Sequence, residues 1–294
     1  MTKRLMRGAA TAVCAATVGL LAAGPAAAIT GGSWDSTNHY SNVGMLVAYD
    51  REFRFRCSGT LVSPTVFLTA AHCTEGTLGK SIVTFDWDIA EHAPSNLPRA
   101  TDDHDTGTSA TGYTGPVGDA RFHMGQAYAH PKYSDFTDPG NWNDVGVVVL
   151  DTPVDIPGVT PAPIAPLNYL AQFAQPTLNK TAFTLVGYGT EVRKPEAGPQ
   201  KAAPQSYPIV RRFTDEIGQK LTPQILQTNG NDKDTRAGGG TCFGDSGGPS
   251  FKDGYLTTVT SYGYTDNCRY LGGLQRVDIP SVQNWLAGFG VTPG

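Results

Sequence analysis

Short apolar runs separated by turn-forming clusters recur along most of the chain, and they limit the folds open to it. Val43 to Ala48, Gly59 to Val62, Val66 to Ala70, Ile82 to Phe85, Val145 to Leu150, Phe183 to Val186 and Leu256 to Thr260 are each four to six residues long. Runs of that length, rich in β-branched side chains, read as strands. Gly, Pro, Asn and Asp cluster between them, and 35 glycines and 21 prolines suffice to end every run in a turn. Many short strands joined in this way imply an all-β sandwich or barrel. One helix is expected near the end, where Val282, Trp285, Leu286 and Phe289 recur at helical spacing after Ser281, a suitable cap. Ala93 to Arg121 and Arg193 to Pro208 read as surface loops, and the proline-rich stretch Thr152 to Pro166 as the link between two halves.

The first residues belong to another category. Lys3, Arg4 and Arg7 precede an apolar run from Ala9 to Leu21 and beyond, and Ala26-Ala27-Ala28 follows, the three parts of a secretory signal peptide. The run is too short and too rich in Ala and Gly for a spanning helix. Cleavage after Ala28 would leave 266 residues beginning at Ile29, with 19 basic and 26 acidic side chains and a net charge of −7. A mildly acidic chain without a basic stripe points away from nucleic acid, and without a second long apolar segment it points away from the membrane. A secreted, extracellular monomer is the expectation.

Cys14 would leave with the signal peptide, so Cys57, Cys73, Cys242 and Cys268 remain. An even number of cysteines in an exported chain reads as two disulfides. Three pairings are possible, and the spacing suggests two local bridges, Cys57 to Cys73 and Cys242 to Cys268. No Cys-x-x-Cys or Cys-x-x-His pair supports a metal site. The acidic clusters Asp102-Asp103 with Asp105, and Asp232 with Asp234, read as solvated charge. Neither a metal nor a cofactor is assigned.

Gly244-Asp245-Ser246-Gly247-Gly248-Pro249 carries the most chemical information. Glycines on both sides of the serine allow a tight turn that lifts a hydroxyl and gathers backbone N–H groups, which is how an oxyanion hole is built. The segment also fits the Gly-x-Ser-x-Gly turn of α/β-hydrolases, but their histidine follows the serine. Here His39, His72, His92, His104, His123 and His130 all precede Ser246, which excludes that reading.

A serine hydroxyl needs a base within hydrogen-bond reach. Leu68-Thr69-Ala70-Ala71-His72-Cys73 supplies one at the end of an apolar strand, beside a cysteine able to anchor the backbone. The imidazole in turn needs a buried carboxylate to fix its tautomer. Asp144 follows Asn141-Trp142-Asn143 and leads into the core run Val145 to Leu150, which places it at the mouth of a strand.

His72, Asp144 and Ser246, in this order and with these flanking sequences, resemble the chymotrypsin/trypsin family of serine proteases. The resemblance implies two six-stranded antiparallel barrels packed face to face, about 29–155 and 156–294, a C-terminal helix, and a triad in the cleft between them. Ile29-Thr30-Gly31-Gly32 is similar to the family's mature N-terminus, with Thr30 a departure. The resemblance implies that a new α-ammonium at Ile29 pairs with Asp245. It also implies an oxyanion hole at Gly244 and Ser246, and substrate pairing along Ser261-Tyr262-Gly263, where Tyr262 replaces the more usual tryptophan. Gly240, six residues before the nucleophile, stands where trypsin-like members carry an aspartate. With Gly263 and Gly272 it implies a roomy, uncharged pocket and a preference for apolar or aromatic residues before the scissile bond. The expected activity is that of a secreted serine endopeptidase acting on protein or peptide substrates. The alternative is a catalytically silent binding protein on the same fold. Retention of all three triad residues, of Asp245 and of the flanking glycines argues against it.

Overall fold

The computed structural model describes residues 29–90, 96–103, 108–192, 205–231, 233–236 and 238–293. The signal segment 1–28 lies outside them, as do Asp105, Asp232 and parts of both expected surface loops.

Six strands of the first half close into one antiparallel barrel: β1 Val43–Tyr49, β2 Arg54–Ser63, β3 Val66–Thr69, β4 Ser81–Thr84, β5 Phe122–Ala129 and β6 Gly146–Leu150. Their order around the barrel is β1-β2-β3-β6-β5-β4. The second half closes another: β7 Ala182–Gly187, β8 Arg212–Leu221, β9 Ile225–Asn229, β10 Pro249–Lys252, β11 Tyr255–Gly263 and β12 Leu271–Arg276. Here β8-β9-β12-β11-β10-β7 runs round to a β7–β8 pairing that completes the circle, and Ser33–Trp34 adds a short strand outside β8. Closure removes the exposed sheet edges that would otherwise template aggregation.

Burial explains which strands the sequence reveals. All seven residues of β1 are buried, so it reads as a continuous apolar run. Inside the first barrel Leu46, Leu61, Phe67, Val83 and Val148 pack together. Inside the second, Phe183, Leu185, Leu226 and Leu274 do the same. A third cluster forms the seam between barrels: Val62, Val66, Leu68, Val145 and Val147 of the first half meet Leu256, Val259 and Val277 of the second. The link crosses at this seam, where the Ala162 N–H donates to the Leu61 carbonyl and the Ala165 N–H to the Leu256 carbonyl.

Helix α1, Pro280–Ala287, covers one end of the seam with Val282 and Leu286, both fully buried. Burying two such side chains contributes roughly 1.5–3 kcal/mol each. The helix starts one residue before the expected cap: Ile279 occupies the N-cap position without a side-chain bond, and Pro280 occupies the first turn. Proline fits there because its missing N–H would be unpaired in any case. The segment expected as a surface loop after residue 93 also differs in part, since Leu97 and Ala100 are buried against Met45, Tyr49 and Tyr188.

One fully buried cation ties the halves together. The Arg211 guanidinium donates to Asp35 Oδ2 at 2.8 Å, to the Val43 and Phe85 carbonyls at 2.8 and 3.1 Å, to the Tyr188 hydroxyl at 3.2 Å and to Asn38 Oδ1. Val43 and Phe85 belong to the first barrel, whereas Arg211 immediately precedes β8 of the second. Such a charge is tolerable only when paired and fully hydrogen-bonded.

Candidate active site at the barrel seam

His72 occupies a single 3₁₀ turn, Ala71–Cys73, just beyond the end of β3. The Cys57–Cys73 disulfide pins that turn to β2, and the second bridge, Cys242–Cys268, fastens the segment before Ser246 to the strand-linking loop after β11. Both pairings match the expectation from spacing.

Asp144 approaches from the other side of the turn. Asn143, in the left-handed region at φ 44°, swings the chain just ahead of β6. Asparagine tolerates that conformation better than most residues. The Asp144 carboxylate is fully buried. Its Oδ1 accepts the His72 backbone N–H at 3.0 Å and its Oδ2 lies 2.8 Å from His72 Nδ1. A carboxylate at Nδ1 holds the proton there and leaves Nε2 free to act as a base.

Two residues of the second barrel fix Asp144 in turn. The Ser261 hydroxyl donates to Asp144 Oδ2 at 2.6 Å, and Gln275 Oε1 accepts the Asp144 backbone N–H at 3.1 Å. Trp142 Nε1 donates to Ser261 Oγ at 3.1 Å, so the hydroxyl has one orientation left for its own proton. The sequence placed Ser261 among substrate-binding residues, and its hydroxyl has this additional structural task. Trp142, Gln275 and Phe136 were not anticipated. Phe136, held at φ 60° in the left-handed region, packs its ring 5.7 Å from that of His72 and 5.4 Å from Trp142, which itself meets Tyr262 at 5.2 Å. A row of rings therefore flanks the histidine.

Ser246 sits in the turn before β10. The Ser58 N–H of β2 donates to its carbonyl at 2.8 Å, and Cys73 Sγ lies 3.9 Å from the same oxygen, which sets the serine beside the residue following His72. Gly244 at φ 98° and Gly247 at φ 78° adopt conformations that favour glycine. At Gly247 a side chain would also run into Thr69 and the Ser58 carbonyl. Among the described residues, the Gly244 and Ser246 N–H groups have no hydrogen-bond acceptor within the chain. They are the two donors expected at the oxyanion hole.

Asp245 points away from this turn into the protein, where its oxygens accept the Gly189 and Cys242 N–H groups at 2.7 and 2.8 Å. Burial pushes its carboxyl up to about 6, against the pull of those two bonds and of the Arg56 and Arg212 guanidiniums. Ile29 is fully buried, and Thr30 exchanges backbone hydrogen bonds with Gly240 at 3.0 and 2.9 Å. No contact between Ile29 and Asp245 is present among the described ones; the expected pair needs the α-ammonium that cleavage would create.

A cavity of about 170 Å³ opens beside Ser246, lined by Thr241, Phe243, Ser261, Tyr262, Gly263 and Cys268 among others. A recess of about 10 Å³ shares Thr241, Gly263 and Cys268 with it and is lined further by Gly272 and Glu216. Gly240 lines neither, being buried against the Cys268 and Gly230 carbonyls. Among the described residues, one group of metal-capable side chains lies close together, Cys57, His72 and Cys73, and the disulfide occupies both of its sulfurs. None of the described helices is long and apolar enough to cross a membrane.

Comparison with known proteins places this geometry in context. A family profile described as Trypsin matches residues 29–286. Brachyurin of Leptuca pugilator is 26% identical over 245 residues, covering 82% of this chain and 88% of its own. A trypsin of Saccharopolyspora erythraea is 27% identical over 210 residues, covering 70% and 75%. Among solved structures, HL collagenase superposes with a TM-score of 0.59 at 17% identity, covering 90% of this chain and 99% of its own. Human heparin binding protein gives 0.55 at 17%, covering 90% and 98%.

Proposed function

The chain belongs to the trypsin family of serine proteases, and from that premise we propose that it is an active, exported serine endopeptidase with His72, Asp144 and Ser246 as its catalytic triad. The observation that carries this reading is the hydrogen-bonded series from Trp142 through Ser261 and Asp144 to His72, assembled across the seam next to Ser246. A silent binding protein has no need of an imidazole held so firmly in one tautomer.

In the mechanism, Ser246 Oγ attacks the peptide carbonyl as His72 Nε2 takes its proton. The carbonyl oxygen, now negative, receives the Gly244 and Ser246 N–H groups. His72 then protonates the leaving amine, and water, deprotonated by the same nitrogen, hydrolyses the acyl-enzyme. Asp144 orients the ring and stabilises the imidazolium. Ser261-Tyr262-Gly263 pairs with extended substrate as an added strand. Removal of residues 1–28 frees Ile29 to pair with Asp245, and the product acts as a monomer on proteins or peptides.

The cavity beside Ser246 takes the side chain preceding the scissile bond. Gly263 and Gly272 leave room for a large one, and the expected apolar or aromatic preference rests on that room.

The test is to sequence the N-terminus of the purified protein and assay it on chromogenic peptides ending in Phe, Leu, Ala, Lys or Arg, with Ser246→Ala alongside. Turnover that disappears in the variant supports the peptidase. Absence of turnover from a chain that begins at Ile29 would replace it with the binding protein.

A further inference from the structure

Glu216 stands outside every sequence motif of the site. It lies on β8, fully buried, and lines the small recess that adjoins the cavity beside Ser246. Its Oε2 accepts the Thr228 hydroxyl at 2.5 Å and its Oε1 the Thr241 N–H at 3.1 Å. Those two hydrogen bonds are its partners among the described residues, and the charged group that acts on it most is another acid, Asp245. A buried carboxylate ordinarily has a cation or a dense set of donors; among the described residues this one has two donors and no paired cation.

Residue 272, which lines the recess beside this carboxylate, has no side chain. A methyl group there would lie 3.6 Å from both the Thr228 and Thr241 hydroxyls and 3.9 Å from Glu216 Oε2. These three polar groups therefore lie around residue 272, whereas Tyr262, Gly263 and the Cys242–Cys268 bridge line the cavity beside Ser246. The arrangement suits a side chain with an apolar stem and a cationic, hydrogen-bond-donating tip. Resting on the peptidase reading above, we propose that Glu216 is a specificity-determining residue that selects lysine or arginine before the scissile bond. The acid reaches the pocket from β8, in place of one at Gly240.

Burial pushes the Glu216 carboxyl up to about 7, against the pull of the Thr228 and Thr241 hydrogen bonds, and a cation beside it would favour the charged form. Aromatic and aliphatic side chains would leave it uncompensated. Asp266, exposed at the mouth of the cavity, is the competing source of negative charge.

The experiment compares kcat/KM on otherwise identical peptides ending in Arg, Lys, Phe or Leu for the native protein, Glu216→Gln, Gly272→Ala and Asp266→Asn. The native protein should favour Arg or Lys over Phe. Glu216→Gln should reduce that ratio roughly 10- to 150-fold, the range for one hydrogen-bonded charge. Gly272→Ala, whose methyl meets only ordinary contacts, should also lower it, and it serves where the glutamine variant fails to fold. Asp266→Asn should leave the ratio within about threefold, since exposed charges act weakly. Binding of benzamidinium, followed by calorimetry, requires no turnover and should weaken at least tenfold in Glu216→Gln. A native preference for Phe or Leu, or a ratio lost with Asp266 and kept without Glu216, would overturn the assignment. So would equal benzamidinium affinity in native protein and Glu216→Gln. Turnover failing while benzamidinium binding depends on Glu216 would refute the peptidase and leave the cation pocket standing.

Discussion

Replacing Glu216 by glutamine should change how the stability of this protein depends on pH, independently of any substrate. In the folded chain burial holds the carboxyl at about 7, against an ordinary 4.5. Between those values the folded state binds the proton and the unfolded state releases it, so stability falls as pH rises. The contribution is fully present below about 4.5 and is lost as pH passes through 7. A gap of that width corresponds to roughly 3 kcal/mol, an upper figure for a group this deeply buried. Glutamine does not titrate, and its carbonyl can still accept from Thr228 or Thr241. Its amide costs about 1 kcal/mol where it faces a donor, a penalty that is the same at every pH. Urea unfolding at several pH values from 4 to 8, with both proteins in a Ser246→Ala background to prevent self-digestion, gives the comparison. The difference should move by up to about 3 kcal/mol in favour of the glutamine protein across that range. Other titrating groups cancel in the difference, apart from Asp245, which interacts with Glu216 directly. A difference that stays constant with pH would refute the reasoning, because it would mean that the carboxyl ionises as readily in the fold as out of it.

Other outcomes follow from the same contacts. Ser261→Ala removes the hydroxyl that donates to Asp144 Oδ2 and should lower kcat roughly 10- to 150-fold, with little change in KM, measured on one chromogenic peptide. Substitution of Asp35 by alanine leaves the Arg211 charge buried without its carboxylate and should cost about 3–5 kcal/mol in denaturant unfolding.

The chemistry of the site was more legible in the sequence than its surroundings. His72, Asp144 and Ser246 each need a particular local path, a strand end, a strand mouth and a glycine turn, and each path leaves its own residues beside the functional one. The structure places all three at the seam, although it adds no bond between Ser246 Oγ and His72 among the described contacts. Strands buried on both faces, such as β1 and β3, were visible as apolar runs. By contrast β5 and β12 carry Gly125, Gly272 and Gly273 together with polar side chains, and barrel closure decides their pairing. In β8 the buried positions include Thr214 and Glu216, so hydropathy conceals its inward face. Glu216 could not be singled out for the same reason. Its burial depends on its place opposite Phe183 in the β7–β8 pairing and beside Thr228 of β9, both distant in sequence. Trp142 had a faint signal in its place two residues before Asp144, and Gln275 had none.

Arg211 grips the first barrel through the main-chain oxygens of Val43 and Phe85. Every amino acid supplies such an oxygen, so the grip takes no account of which side chains stand at those two positions. In a library of random substitutions, residues 43 and 85 should accept any replacement that still packs, whereas Arg211 and Asp35 should accept almost none. The joint thus concentrates its sequence requirement in Arg211 and the side chains that meet it, Asp35, Asn38 and Tyr188, and the barrel wall it holds is left free to diverge.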